Sequence, residues 1–220
     1  MLERFQRLEG RLRDRAAPIR GTVRIATVYS VGLHALPPYL TRFLKAFPQV
    51  KAHVEYSRTN RICDALAHDL LDVGIVAVPL PRTAVTVIPW RDERLVLVCR
   101  PDHRLARKRS VSLALLQGEP FIAFERDIPT RKTIDRLLRA HGVTVRTVME
   151  FDNVETIKRS VEVGSGVAIL PEPTVANEIK GGLLAKVAMA EGPFTRQLAI
   201  VHRRGRVLTG AVRAFITMLK

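Results

Sequence analysis

Residues 21–28 read Gly-Thr-Val-Arg-Ile-Ala-Thr-Val. Val23 and Ile25 alternate with polar neighbours before the segment turns apolar, the pattern of a strand entering a buried sheet. Downstream, Pro37 and Pro38 sit where a helix accepts proline in its first turn. Leu36, Leu40, Phe43, Leu44 and Phe47 form one apolar face, which Pro48 ends. The rhythm repeats with a strand over Val50–Tyr56, a helix over Arg61–Leu71 with Ile62, Leu66 and Leu70 one turn apart, and a short buried strand over Val73–Val78. Alternating strand and helix argues for an α/β fold with parallel sheet and helices on both faces. Val85–Trp90 and Leu95–Cys99 read as two further strands, divided by a charged turn at Arg91-Asp92-Glu93-Arg94.

After Pro101 the alternation begins again. Strands are expected at Phe121–Phe124, Val145–Phe151, Val167–Leu170 and Leu183–Val187, with helices near Leu113–Leu116, over Thr130–Ala140 and Val154–Val163, and near Val175–Ile179. Gln197–His202 returns as a strand, and Leu208, Val212, Phe215, Ile216 and Leu219 close the chain as an amphipathic helix. A chain that crosses between two lobes near Val98–Arg100 and again near Ala199–His202 leaves residues 20–100 plus 199–220 in one lobe and 101–198 in the other. Paired crossings form a hinge. Before this body, Leu2, Phe5, Leu8 and Leu12 stand at helical spacing until Pro18, so residues 1–19 read as the end of an amphipathic linker helix whose stripe needs the body or a second copy to cover it.

Composition narrows the function. A length of 220 residues with 47% hydrophobic content buries a real core. No apolar run approaches the roughly 18–20 residues of a membrane span, and no signal core opens the chain, so a cytoplasmic protein is expected. The net charge of +15 draws in anions, but it is spread along the chain, and 5% aromatic content does not make a stacking platform for single strands. Nucleophile-elbow, phosphate-loop, dinucleotide and zinc-protease motifs are missing. Gly164-Ser165-Gly166 is the nearest thing to a nucleophile turn, and it reads better as a tight helix-to-strand connection. The six histidines have no partners at metal-ligand spacing, so no metal, no cofactor and no enzyme activity are expected. Cys63 and Cys99 lack CxxC spacing and read as small semi-buried side chains.

Binding candidates gather at strand-to-helix junctions, where backbone N–H groups and the positive ends of helices suit anions. Tyr29 and Ser30 follow the first strand, and Ser57, Thr59 and Asn60 follow the second. In the other lobe Pro129, Thr130 and Arg131 lead into a helix, and Asn153 stands before the next. Each hydroxyl or amide also has a reading as a helix cap, worth about 1 kcal/mol to its own helix.

Several segments together carry a family resemblance: Gly21-Thr22-Val23-Arg24-Ile25-Ala26 after a linker helix, Leu36-Pro37 through Phe47-Pro48, Asp72-Val73-Gly74-Ile75, Leu97-Val98 with Pro101 and His103-Arg104-Leu105-Ala106, and Val161-Glu162-Val163-Gly164-Ser165-Gly166-Val167-Ala168-Ile169-Leu170-Pro171. Their order and spacing resemble the regulatory domain of LysR-type transcriptional regulators. The resemblance implies two Rossmann-like lobes joined by two crossover strands, like type 2 periplasmic binding proteins. It implies a small, often anionic effector between the lobes, contacted at Ser30, at Thr59 and by the loop over Pro129 to Arg131. It also implies a homodimer or higher homo-oligomer that meets DNA only through an N-terminal winged helix-turn-helix, which this chain does not contain. Ala77 departs from relatives that carry arginine there. A solute-binding protein of a transporter shares the expected fold, and an enzyme on a two-lobed scaffold is a third reading, because fold does not fix function.

Overall fold

The computed structural model describes residues 18–79 and 83–220. Of the expected linker helix over residues 1–19, residues 1–17 lie outside the described residues. Strand β1 (Gly21–Thr27) runs parallel to both β2 (Val50–Tyr56) and β3 (Val73–Ala77). Its side chains alternate between two cores. Val23 and Ile25 pack with Leu36, Phe43, Phe215 and Ile216, while Ala26 packs on the opposite face with Ile62, Leu66 and Val76. Helices therefore cover both faces of this sheet, as the alternation of strand and helix in the sequence requires.

The first face takes α1 (Tyr29–His34) and α2 (Pro37–Ala46), and the opposite face takes α3 (Thr59–Ala67). Helix α1 has no counterpart among the helices expected from the sequence, because Val31 is the only large apolar side chain it buries. Gly32 explains how so short a helix seats itself. A Cβ there would come within 2.5 Å of both Thr27 Cγ2 and Tyr56 Cε1, so the helix lies flush on the strand ends.

The largest departure from the sequence reading is β4 (Val85–Cys99), one strand of 15 residues with no turn at Arg91–Arg94. It pairs antiparallel with β10 (Phe194–Arg203) over Val85–Leu95. Glu93 is buried and ion-paired to Arg196 opposite it, which is why charged residues stay inside a strand here. Both strands pass between the lobes. Leu95–Cys99 belong to the second core, with Phe121, Ile157 and Ile169, whereas Leu198 and Ile200 belong to the first. The passage on β4 therefore lies before Leu95 instead of near Val98–Arg100. On β10 it lies between Phe194 and Leu198.

Beyond the crossing, β4 continues against β8 (Ala168–Pro171) and β9 (Ala185–Met189), and β9 pairs with β5 (Ser110–Val111). Strands β6 (Pro120–Phe124) and β7 (Arg146–Phe151) form a separate parallel pair. Helices α4 (Pro129–Ala140) and α5 (Val154–Glu162) dock their Ile134, Leu138, Ile157 and Val161 into the second core. A short α6 (Ala176–Lys180) follows. The chain ends in α7 (Gly210–Leu219), whose last turn accepts a hydrogen bond from Trp90 Nε1 and returns to the first lobe. The result is the expected two-lobed α/β fold, with sheet hydrogen bonding continuous through β4 and β10.

The Gly164-Ser165-Gly166 stretch links α5 to β8. Gly164 has φ +86°, and a Cβ on Gly166 would stand 2.5 Å from the Pro120 carbonyl oxygen. Gly166→Ala should cost about 1–3 kcal/mol in urea unfolding, because the obstacle is backbone and cannot swing away. Ser165→Ala should stay within about 0.5 kcal/mol of the parent.

Candidate functional site

The parallel strands of the first lobe deliver their C-terminal ends, and the helices that follow them, to the space between the lobes. A cavity of about 170 Å³ lies there. That volume suits a small metabolite, since pockets for drug-sized ligands run to about 300–1,000 Å³. Tyr29, Ser30, Ser57, Thr59, Asn60, Pro129, Thr130 and Asn153 all line it, so nearly every residue singled out in the sequence comes together at one place. Ala77 lines it as well, at the end of β3.

Three helices begin here without a side-chain cap. Their N-cap residues are Val28 for α1, Arg58 for α3 and Ile128 for α4, none of which accepts from the first turn. Capping would have used up the polar groups, so the cap reading fails for Ser30, Thr59 and Thr130. It holds for Asn153, whose side chain accepts from Thr156 N at 3.0 Å. Thr59 is buried, and its Oγ1 has no hydrogen-bond partner. A buried hydroxyl left unpaired costs about 1–3 kcal/mol, which marks the spot as one that a ligand or solvent completes.

The floor of the cleft is Arg196, which the sequence reading missed. Its Nη2 donates to Ser30 Oγ at 2.9 Å in the first lobe, and its Nη1 donates to Thr130 Oγ1 at 3.2 Å in the second. Burial lowers its pKa from the ordinary arginine value, against the opposing pull of Glu93. At the mouth, Arg58 reaches across from the first lobe to Asp127 at 2.7 Å and Glu125 at 2.6 Å, with Asp152 at 3.7 Å. The hydrogen bond to Asp127, more than that to Glu125, raises the Arg58 pKa above its ordinary value. A second interlobe tie joins His34 Nε2 to Glu155 Oε1 at 2.8 Å. Burial alone would raise the Glu155 carboxyl, but hydrogen bonds from Lys158 and His34 bring it below its usual range.

Residues 16–220 match the family model for the LysR substrate binding domain. The chain belongs to the LysR substrate-binding family. Among relatives of known sequence, the HTH-type transcriptional regulator YeiE of Escherichia coli K12 is 29% identical over 196 residues, covering 89% of this chain and 67% of that protein. The RuBisCO operon transcriptional regulator of Allochromatium vinosum is also 29% identical, over 89% of this chain and 65% of its own length. The chain thus spans about two thirds of these relatives. Among solved structures, the regulatory domain of Synechocystis PCC6803 CcmR in complex with 2-PG superposes with a TM-score of 0.84 at 26% identity, covering 91% of this chain and 96% of that one. These LysR relatives are transcription regulators, not transporter components. No helix among the described residues is long and apolar enough to cross a membrane.

Two residues of this LysR domain stand apart from the cleft chemistry. Arg131 is the one candidate that does not line the cavity. It points into the second lobe, where its Nε donates to Asp135 at 2.7 Å and its Nη1 donates to Glu150 at 2.8 Å and to the Phe124 carbonyl at 2.5 Å. Its charge is already satisfied, which corrects its assignment as an anion contact. Cys99 lies in the second core, where burial pushes its thiol up to about 11, away from a reactive thiolate. The hydrogen bond from Arg131 holds the Glu150 carboxyl below the usual glutamate value of 4.5. A depressed folded pKa adds stability at pH above the unfolded value, and that stability is lost as pH falls through the folded one. Glu150→Gln should therefore melt below the parent at pH 7, and the gap should close as the pH is taken below about 4. A gap that persists in acid would mean that Arg131 does not use Glu150 in this way.

Proposed function

We propose that this chain is the effector-receiving part of a LysR-type transcription regulator and that its cleft takes a small organic or inorganic anion. The observation that carries this reading is Thr59 Oγ1, buried without a partner at the uncapped start of α3 and facing the interlobe cavity. Helix N-termini favour negative charge. The likeness to the CcmR regulatory domain, which is bound to 2-PG, points the same way.

In the longer protein, effector binding shifts the balance between arrangements of the two lobes. That shift passes through a homodimer or higher homo-oligomer to a DNA-binding segment, in the cytoplasm. The anion's contacts are assigned to Ser30, Thr59 and Thr130, with Tyr29, Ser57, Asn60, Pro129 and Asn153 shaping the cavity around them. The lobes are assigned as residues 20–94 with 197–220, and 95–196.

A calorimetric and thermal-shift comparison of 2-PG and sulfate with neutral compounds of similar size tests the charge preference. Thr59→Val should weaken binding of the anion that binds best by about ten- to a hundredfold, since a hydrogen bond to a charged group is worth about 1.5–3 kcal/mol. The melting temperature of the unliganded protein should hardly change. Equal stabilisation by neutral and anionic compounds would overturn the reading.

A further inference from the structure

Arg196 stands on β10 directly opposite Glu93 on β4, in the stretch where both strands pass between the lobes. Their side chains are 2% and 3% exposed, so both charges are out of water. Nε and Nη2 donate to Glu93 Oε2 at 3.1 and 2.7 Å, and the bonds to Ser30 and Thr130 complete the set. A guanidinium has five N–H donors and no acceptor. Four are engaged, and the fifth, on Nη1, remains beside Thr130.

This fixes the polarity of the cleft. A hydroxyl that accepts from a guanidinium turns its own hydrogen toward some other acceptor. Among the described residues, neither Ser30 nor Thr130 donates that hydrogen to a protein group. Glu93 is largely taken up in return, because its Oε1 takes a bond from Arg91 at 3.1 Å and its Oε2 takes both from Arg196. With the unpartnered Thr59 hydroxyl beside them, the floor presents three hydroxyl hydrogens and the fifth Arg196 N–H, while one lone pair each of Ser30 Oγ and Thr130 Oγ1 is already taken. The complementary group is one that only accepts. A protonated acid or an amide puts a hydrogen of its own where an oxyanion has a lone pair and leaves one of these donors unmet, which costs on the order of ten- to a hundredfold in affinity.

We propose that Arg196, seated by Glu93, is the specificity-determining residue of the cleft. By turning the hydrogens of Ser30 and Thr130 into the cleft, it biases the floor toward ionised oxyanions, a carboxylate, sulfonate or sulfate group. One of those hydroxyls belongs to each lobe, so the selection operates only when both lobes are closed on Arg196. This inference rests on the cleft binding an anion, as argued above.

The test compares affinities for sulfate and 2-PG with that for dimethyl sulfone, a neutral tetrahedral sulfur oxide, by calorimetry. Arg196→Lys keeps a positive charge against Glu93, but a single nitrogen does not span Glu93, Ser30 and Thr130 together. The double variant Arg196→Met with Glu93→Leu removes both buried charges and so leaves no unpaired carboxylate. Thr130→Val removes one donor and keeps Arg196 paired to Glu93 and Ser30, which keeps the test usable if either replacement of Arg196 fails to fold.

The expected result is that the parent prefers the anions and that this preference falls by about ten- to a hundredfold in each variant, with little change toward the sulfone. Anion preference retained in Arg196→Lys would overturn the proposal, since charge alone would then suffice. Preference retained in Thr130→Val or in the double variant would overturn it as well. In each of those cases the cleft assignment stands as long as Thr59→Val still weakens anion binding. A parent that takes up neither anion would remove both.

Discussion

A guanidinium and a carboxylate, facing each other across two adjacent strands and shut away from water, hold the centre of this molecule. Taking each ion out of water costs several kcal/mol, and their mutual attraction offsets that cost only when the remaining donors and lone pairs are also satisfied. Arg196 and Glu93 come close to the condition by recruiting Ser30, Thr130 and Arg91, with one N–H left over. The requirement shapes everything around it. It keeps β4 unbroken where its charged run would otherwise turn, and it draws the starts of α1 and α4 to one point from opposite lobes. It also leaves their hydroxyl hydrogens unspent.

The mouth of the cleft obeys different physics. Arg58 and its carboxylate partners are about two-fifths to one-half exposed. Exposed ion pairs contribute about 0–1 kcal/mol each and weaken further with salt. The pair of Glu93 and Arg196 is thus a permanent fixture and the mouth a reversible one. That contrast is what a receptor with open and closed arrangements needs, because closing contacts worth many kcal/mol would leave a ligand little to shift.

Much of this was legible in the sequence, for physical reasons that can be named. Gly21-Thr22-Val23-Arg24-Ile25-Ala26 reads as a strand because its apolar residues alternate before the run becomes buried, and Ser30 and Thr59 declare themselves by following strands. Arg196 and Glu93 did not, because each looks like ordinary surface charge until the partner, 103 residues away, is placed beside it. Arg91-Asp92-Glu93-Arg94 has the local composition of a solvated turn, and only pairing with β10 keeps it extended. Arg131 misled in the opposite sense. Its position next to Thr130 suggested the cleft, whereas the helix turns it inward to Asp135 on the next turn and Glu150 on β7. Charge is visible in a sequence, but the direction in which a helix aims it is not.

The lobes are joined by a two-stranded ribbon, and its register slips by a bulge between Leu198 and Ala199. Ribbons of two strands twist more readily than wide sheets, and a bulge increases the local twist. A relative motion of the lobes that kept the ladder β4 and β10 share would therefore twist or bend this ribbon, since sliding would break it. Such a motion acts as a lever. Atoms near Arg196, on the pivot, would hardly travel, while β2 at the edge of one lobe's sheet and β7 in the other lobe would sweep through wider arcs. A small event in the middle of the protein would thereby be magnified at its outer edges.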